Sequence, residues 1–249
     1  MNILVAMKSI PDLTQVRISN RRPVFEGVEY IYGDLDKSAL EAALEIASDV
    51  EDAHITVIGV GDEDLEEGVK EALAMGADDA IIAADDAYSN LGNAQSAMVL
   101  ADIIKRADEP SLVMMGEGSG DGFSGLMPGR VSELLGWPSI GAVSSVKIID
   151  DKVECTRTKG DEVETLEVAL PAVISVTGEA AIPHVPPVSQ ILKAGRKPKE
   201  VLEMDDFDID LPKVGIEVKS ALAPENNREG VVLSSIDELI SLLKSKNLL

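Results

Sequence analysis

Six glycines fall within fourteen residues, Gly116–Gly129, at positions 116, 118, 120, 122, 125 and 129. The run before them, Leu112–Met115, is short and apolar, the pattern of a buried strand, and Arg130–Leu135 after them reads as a helix body. A strand, a glycine-rich turn and a helix in that order can cradle phosphate. Glycine lets the backbone approach an anion, and the first N–H groups of a helix point at it. The spacing matches neither G-x-G-x-x-G nor GxxxxGK[ST], so on its own the stretch reads equally as a flexible surface loop.

The chain before the loop narrows the choice. Asn2–Met7, Ile55–Val60 (ending at Gly61) and Asp79–Ala83 are further buried-strand patterns. Between them lie helical ones: a helix capped by Asp34–Ser38 with Leu40, Ala43, Leu44 and Ala47 on one face, Leu65–Met75 stopped by Gly76, and a helix over about Leu91–Arg106. Lys8–Tyr32 is an irregular excursion with strand character at Val28–Ile31. Alternation of this kind predicts an α/β fold with a doubly wound, mostly parallel sheet. Such sheets bind ligands beyond the carboxyl ends of their strands, where Ala6–Lys8, Gly59–Gly61 and Gly116–Met127 converge.

After Pro138 four short strands, Ala142–Ile149, Lys152–Thr158, Glu162–Ala169 and Ala172–Val176, read as an added antiparallel meander. The segment IPHVPPVSQILKAGRKPKE follows, rich in proline and then in lysine, and is expected to project. Lys193, Arg196, Lys197 and Lys199 make it the one dense basic patch. Asp205–Lys213 reads as an acidic linker, Ala221–Arg228 as a loop and Ile236–Leu243 as a last helix. The expected division is an α/β domain over 1–180, a projecting segment over 181–199, and a C-terminal extension over 200–249.

Composition removes several function classes. A formal net charge of −23 repels phosphate backbones, so nucleic acid is an improbable partner. One cysteine, Cys155, excludes an intrachain disulfide and fits a reducing cytoplasm. Two histidines and no HExxH or CxxC pattern argue against a transition-metal site. No apolar run approaches the roughly 18 residues of a membrane span, and no basic region precedes the first strand as a signal peptide would require.

The chain resembles the β subunit of electron-transfer flavoproteins. Its markers are VAMKSIPD (5–12), LDKSALEAALEI (35–46), EALAMGADDAII (71–82), Gly120-Asp121-Gly122, ELLGWP (133–138), LPAVISV (170–176) and ILKAGRKP (191–198). The resemblance implies an adenine-nucleotide-binding type of fold and an electron carrier, with no substrate turned over by this chain alone. It implies a heterodimer with an α subunit that holds the redox FAD, on which the C-terminal arm and helix would pack. It also implies flavin dehydrogenases, such as acyl-CoA dehydrogenase, as electron donors and a quinone reductase as acceptor. Ordinary members hold AMP in the β subunit; in some, a second FAD takes that place and bifurcates electron pairs from NADH.

Carried over by motif, the nucleotide positions are Ala6, Lys8, Gly33, Asp34, Leu35, Asp36, Val60, Gly61, Gly116, Gly118, Ser119, Gly120, Asp121, Gly122, Phe123, Ser124, Gly125, Leu126 and Met127. Arg157 matches an arginine facing the partner's flavin. The recognition loop falls at about Ala181–Ile191, with Val185, Pro187, Val188 and Ile191 as its partner contacts. Many members have Asn-Pro where this chain has Gly33-Asp34, and polar residues where it has Leu126 and Met127. Lys8-x-x-Pro11-Asp12 is closer to bifurcating members, so AMP and a second FAD both stand, as does an empty remnant. Two rivals share the fold. An ATP-dependent adenylating enzyme would carry its SGGxDS-type loop after the first strand, whereas Gly118–Ser124 follows the fourth. A nucleotide-sensing binding module leaves residues 140–249 unexplained.

Overall fold

The computed structural model describes every residue except Asn90, Val214, Glu217, Asn226, Asn227 and Glu229. The loop expected over 221–228 therefore lies partly outside the described residues. The elements run β1 (Asn2–Ala6), β2 (Ser9–Pro11), β3 (Arg17–Ser19), β4 (Arg22–Val24), β5 (Tyr30–Tyr32), α1 (Asp34–Asp49), β6 (His54–Gly61), α2 (Asp64–Met75), β7 (Asp79–Ala84) and α3 (Asn93–Arg106). They continue with β8 (Pro110–Gly116), α4 (Met127–Leu135), β9 (Ser139–Ile149), β10 (Lys152–Lys159), β11 (Glu162–Ala169), β12 (Ala172–Val176), α5 (Val188–Ala194), β13 (Lys199–Leu202) and α6 (Ile236–Ser245).

Two compact units result. Residues 1–16 and 25–218 form the larger, and residues 17–24 with 219–249 form the smaller. The larger unit is an α/β fold on a nine-stranded sheet of order β11-β10-β9-β12-β8-β1-β6-β7-β13. Seven neighbouring strands from β9 to β13 are parallel, while β10 runs antiparallel between β9 and β11. Parallel strands are covered on both faces, so their runs are apolar throughout. Ile3 and Val5 of β1 join α1 and α2 in one core, and Leu4 and Ala6 join α3 and α4 in the other. With few aromatics, both cores are built chiefly from Ala, Val, Ile and Leu.

The structure departs from expectation in four places. Ala172–Val176 is not the fourth strand of an antiparallel meander; it inserts parallel between β8 and β9. All five of its residues are buried, as a central parallel strand requires and a half-exposed meander strand does not. The segment 181–199 does not project as a whole. Residues 182–192 are largely exposed, but Ala194 is buried, and Lys199–Leu202 extends the sheet beside β7. Asp205–Lys213 is more than a linker: Phe207 is buried, and Ile209 and Leu211 pack on the α3 core. Finally, the helix over 34–49 is preceded by Gly33 as N-cap and has no side-chain cap.

Two of the basic residues bind the sheet's edge elements instead of forming an open patch. Lys199 pairs with Glu66 at 2.5 Å. Lys197 Nζ donates to the carbonyls of Leu73 (3.0 Å) and Ala77 (2.5 Å), where α2 ends at Gly76. A cation at a helix C-terminus satisfies carbonyls that the helix leaves open. Lys197→Met should therefore cost about 1–3 kcal/mol of stability, read as a lower denaturation midpoint. An unchanged midpoint would contradict this role.

Candidate functional site

The sheet order marks one position for a ligand. From β1 the chain adds β6 and β7 on one side, then returns to place β8 on the other. α1 covers one face and α4 the opposite face, so the ends of β1 and β8 meet at a topological switch point, the place where parallel sheets form a ligand crevice.

A carboxylate closes the bottom of that crevice. Asp36, in the first turn of α1, is only 8% exposed. Its Oδ2 accepts the N–H of Lys8 at 2.8 Å, just past β1, and its Oδ1 lies beside Gly116, at the end of β8. Gly116 has to be glycine: a Cβ there would lie 2.8 Å from Asp36 Oδ1 and 2.8 Å from Leu35 Cβ. Burial is the largest influence on Asp36 and raises its pKa from 3.8 to about 7, against the lowering effect of the Lys8 N–H and of the Lys8 charge.

The glycine loop folds back over this point. Lys8 Nζ meets Asp121 Oδ2 at 2.5 Å. Burial opposes ionisation of Asp121, but hydrogen bonds from Lys8 and Ser119 outweigh it and hold this carboxyl below the usual range. The Phe123 N–H donates to the Ser119 carbonyl at 2.8 Å, and the Phe123 ring lies against Gly118. Gly120 faces Ile10 and Leu13, whereas Gly122 opens to free space. Leu126 precedes α4, which has no side-chain cap and carries Pro128 in its first turn. The N–H groups of Met127 and Gly129 thus have no helical acceptor. Ser124 Oγ makes one long contact, 3.5 Å, with the Leu126 N–H.

Ala6, Lys8, Gly33, Asp34, Leu35, Asp36 and the segment Gly116–Met127 are accordingly gathered around the β1 and β8 ends. Val60 and Gly61 border it: Ala6 pairs with Ile58, so β6 runs on past β1 by those residues and one more. Arg157 stands apart. It shares a cross-strand row with Gly116, through Val176 and Val143, but three strands away, about 15 Å. Its Nε and Nη2 both bond Glu164 Oε2 at 2.8 Å. The sequence reading missed the end of β12. Val176 accepts the Glu117 N–H at 3.0 Å, and Gly178 faces Leu35. The unbroken apolar run at 172–174 was the available signal of a central strand.

Comparison with known proteins assigns the chain to a family. The family model for the electron transfer flavoprotein domain matches residues 24–207. The chain is 30% identical over its full length to the electron transfer flavoprotein subunit beta of Thermoanaerobacterium thermosaccharolyticum, all of which is covered. It is also 30% identical to the subunit of the same name from Clostridium acetobutylicum, over 99% of this chain and 97% of that one. The chain belongs to the electron transfer flavoprotein family, and among its members it is similar to the β subunits.

Asp36 gives the site a pH signature. Its folded pKa lies above its unfolded value, so its contribution to stability is complete below about pH 4 and is lost as pH rises through about 7. Asp36→Asn cannot titrate and should lack this decline. Thermal melts from pH 4 to 8 should show the variant gaining on the parent as pH rises; parallel curves would contradict the assignment.

Proposed function

We propose that this chain is the nucleotide-holding β subunit of a heterodimeric electron carrier whose redox FAD is borne by the partner subunit. The observation that carries the reading is the Asp36 carboxyl tying the ends of β1 and β8 beneath a glycine loop, at the switch point of a parallel sheet. Gly116 lets Asp36 and Leu35 pack against the end of β8, and Gly122, with open space before it, leaves bare backbone for a ligand to approach. The ligand is an adenine nucleotide, present as AMP or as the AMP half of a second FAD. The N–H groups of the glycine loop and of Met127 and Gly129 would bear its phosphate, with Lys8 the nearby cation. Phe123 and Leu126, both about half exposed, offer apolar surface beside it. A bound FAD supplies the electron-transfer chemistry; this chain's residues position the nucleotide.

The partner-facing parts are assigned in the same way. His184 anchors the start of the exposed segment: its Nδ1 lies 2.6 Å from Glu41 Oε2, and its backbone N–H donates to the same oxygen. Val185 (89% exposed), Pro187, Val188 (72%) and Ile191 (51%) beyond it face solvent and form an apolar recognition surface for dehydrogenases. Arg157 is assigned to the face toward the partner's flavin, with Glu164 balancing its charge. α6 has no buried residue, and we assign its apolar stripe to the partner subunit.

Co-expression with an FAD-bearing subunit tests this. The complex should be yellow and, on denaturation, release a second adenine nucleotide, either AMP or FAD, beside the partner's FAD. Gly116→Ala and Gly122→Ala should each lose that second nucleotide. A colourless chain that hydrolyses ATP, or a complex with only the partner's FAD, would overturn the reading.

A further inference from the structure

Residues 17–24 and 219–249 form the smaller unit. In it β3 and β4 pair across a two-residue turn, Asn20-Arg21, whose φ values are 50° and 65°. Positive φ at both central residues is the type I′ geometry that suits a hairpin twist. Asn accepts it readily, but arginine rarely does. No residue of either strand is buried, and an isolated two-stranded hairpin of this kind is marginal in water.

Segment 223–225 supplies what the hairpin lacks. The Ala223 N–H donates to the Arg21 carbonyl at 2.7 Å, and Arg21 Nε donates to the Ala223 carbonyl at 2.8 Å. Arg21 Nη1 pairs with Glu225 Oε1 at 2.7 Å. The left-handed turn thus directs the main chain and the side chain of one residue at the same three-residue stretch. A backbone outlier whose carbonyl, Nε and Nη1 are all engaged by one segment is better explained by that engagement than by the turn itself. Further along the same arm, α6 begins with its own cap, Ser235 Oγ accepting the Glu238 N–H at 3.2 Å, and exposes Ile236, Leu239 and Ile240.

We propose that the β3–β4 hairpin is a clip for the C-terminal arm, with Arg21 as its positioning residue. By holding 223–225 it lowers the conformational freedom that the arm loses when α6 docks on the FAD-bearing subunit. The docking step rests on the function proposed above; the clip does not. Preorganising a docking element favours binding by reducing that ordering cost.

A charge swap tests the clip in the full-length chain. Arg21→Glu and Glu225→Arg, made singly, should speed amide exchange at Arg21, Arg22, Val24, Ala223 and Glu225 and weaken binding to the purified FAD-bearing subunit about threefold to tenfold. The two together should re-form the ion pair and recover part of both, since a glutamate at position 21 cannot donate to the Ala223 carbonyl. Unchanged exchange in the single variants would overturn the clip and leave the docking reading standing. Faster exchange with unchanged affinity would overturn the docking role of the arm. Failure of the double variant to recover would overturn the Arg21–Glu225 assignment.

Discussion

Asp36 sits where three pieces of chain must meet, and each meets the others through its carboxyl. It is presented by the first turn of α1, takes the N–H group just past β1, and lies against Gly116 at the end of β8. Those two strands are neighbours in the sheet but far apart in sequence, and their ends define the crevice. A buried carboxylate is costly unless its oxygens are bonded, and here the Lys8 N–H just past β1 supplies a bond. The tie is therefore both a remedy for burial and the device that sets the spacing of the cradle. Gly116 follows from it, since a side chain at that position would collide with Asp36 and Leu35.

The rest of the larger unit supplies stiffness around this tie. Aliphatic cores on both faces fix the parallel strands, and β12 braces β8 from the far side. The acidic surface and the site differ in character. Around the loop, Asp121 is engaged by Lys8, so the most prominent cation near the glycine turn is already neutralised. An anionic ligand at the proposed site would therefore meet backbone donors before a free cation. Lys197 and Lys199 are committed to α2 and add no open basic surface.

The alternation of apolar runs with helical periodicity was legible because parallel strands and their covering helices leave opposite signatures, and the strand ends it singled out do lie side by side in the sheet. Asp36 itself was marked as a ligand contact. Its actual engagement with Lys8 and Gly116 depends on a long-range register that no local pattern carries. β12 was misread as antiparallel because turn signals on both sides resemble a meander, and only its five consecutive buried residues set it apart. Phe207, Ile209 and Leu211 were hidden in an acidic stretch, where charge obscured an apolar alternation. Arg21 had no sequence signal, since Asn-Arg is a weak turn pair.

The central claim is that an adenine nucleotide occupies the β1–β8 crevice and is held there mainly by backbone. Amide hydrogen exchange of the chain with and without AMP addresses it most directly. The account predicts slowed exchange at 6–8, 33–36 and 116–129, with the opposite sheet end, around His54 and Asp79, unaffected. Protection centred on that opposite end, or none in the glycine loop, would contradict it.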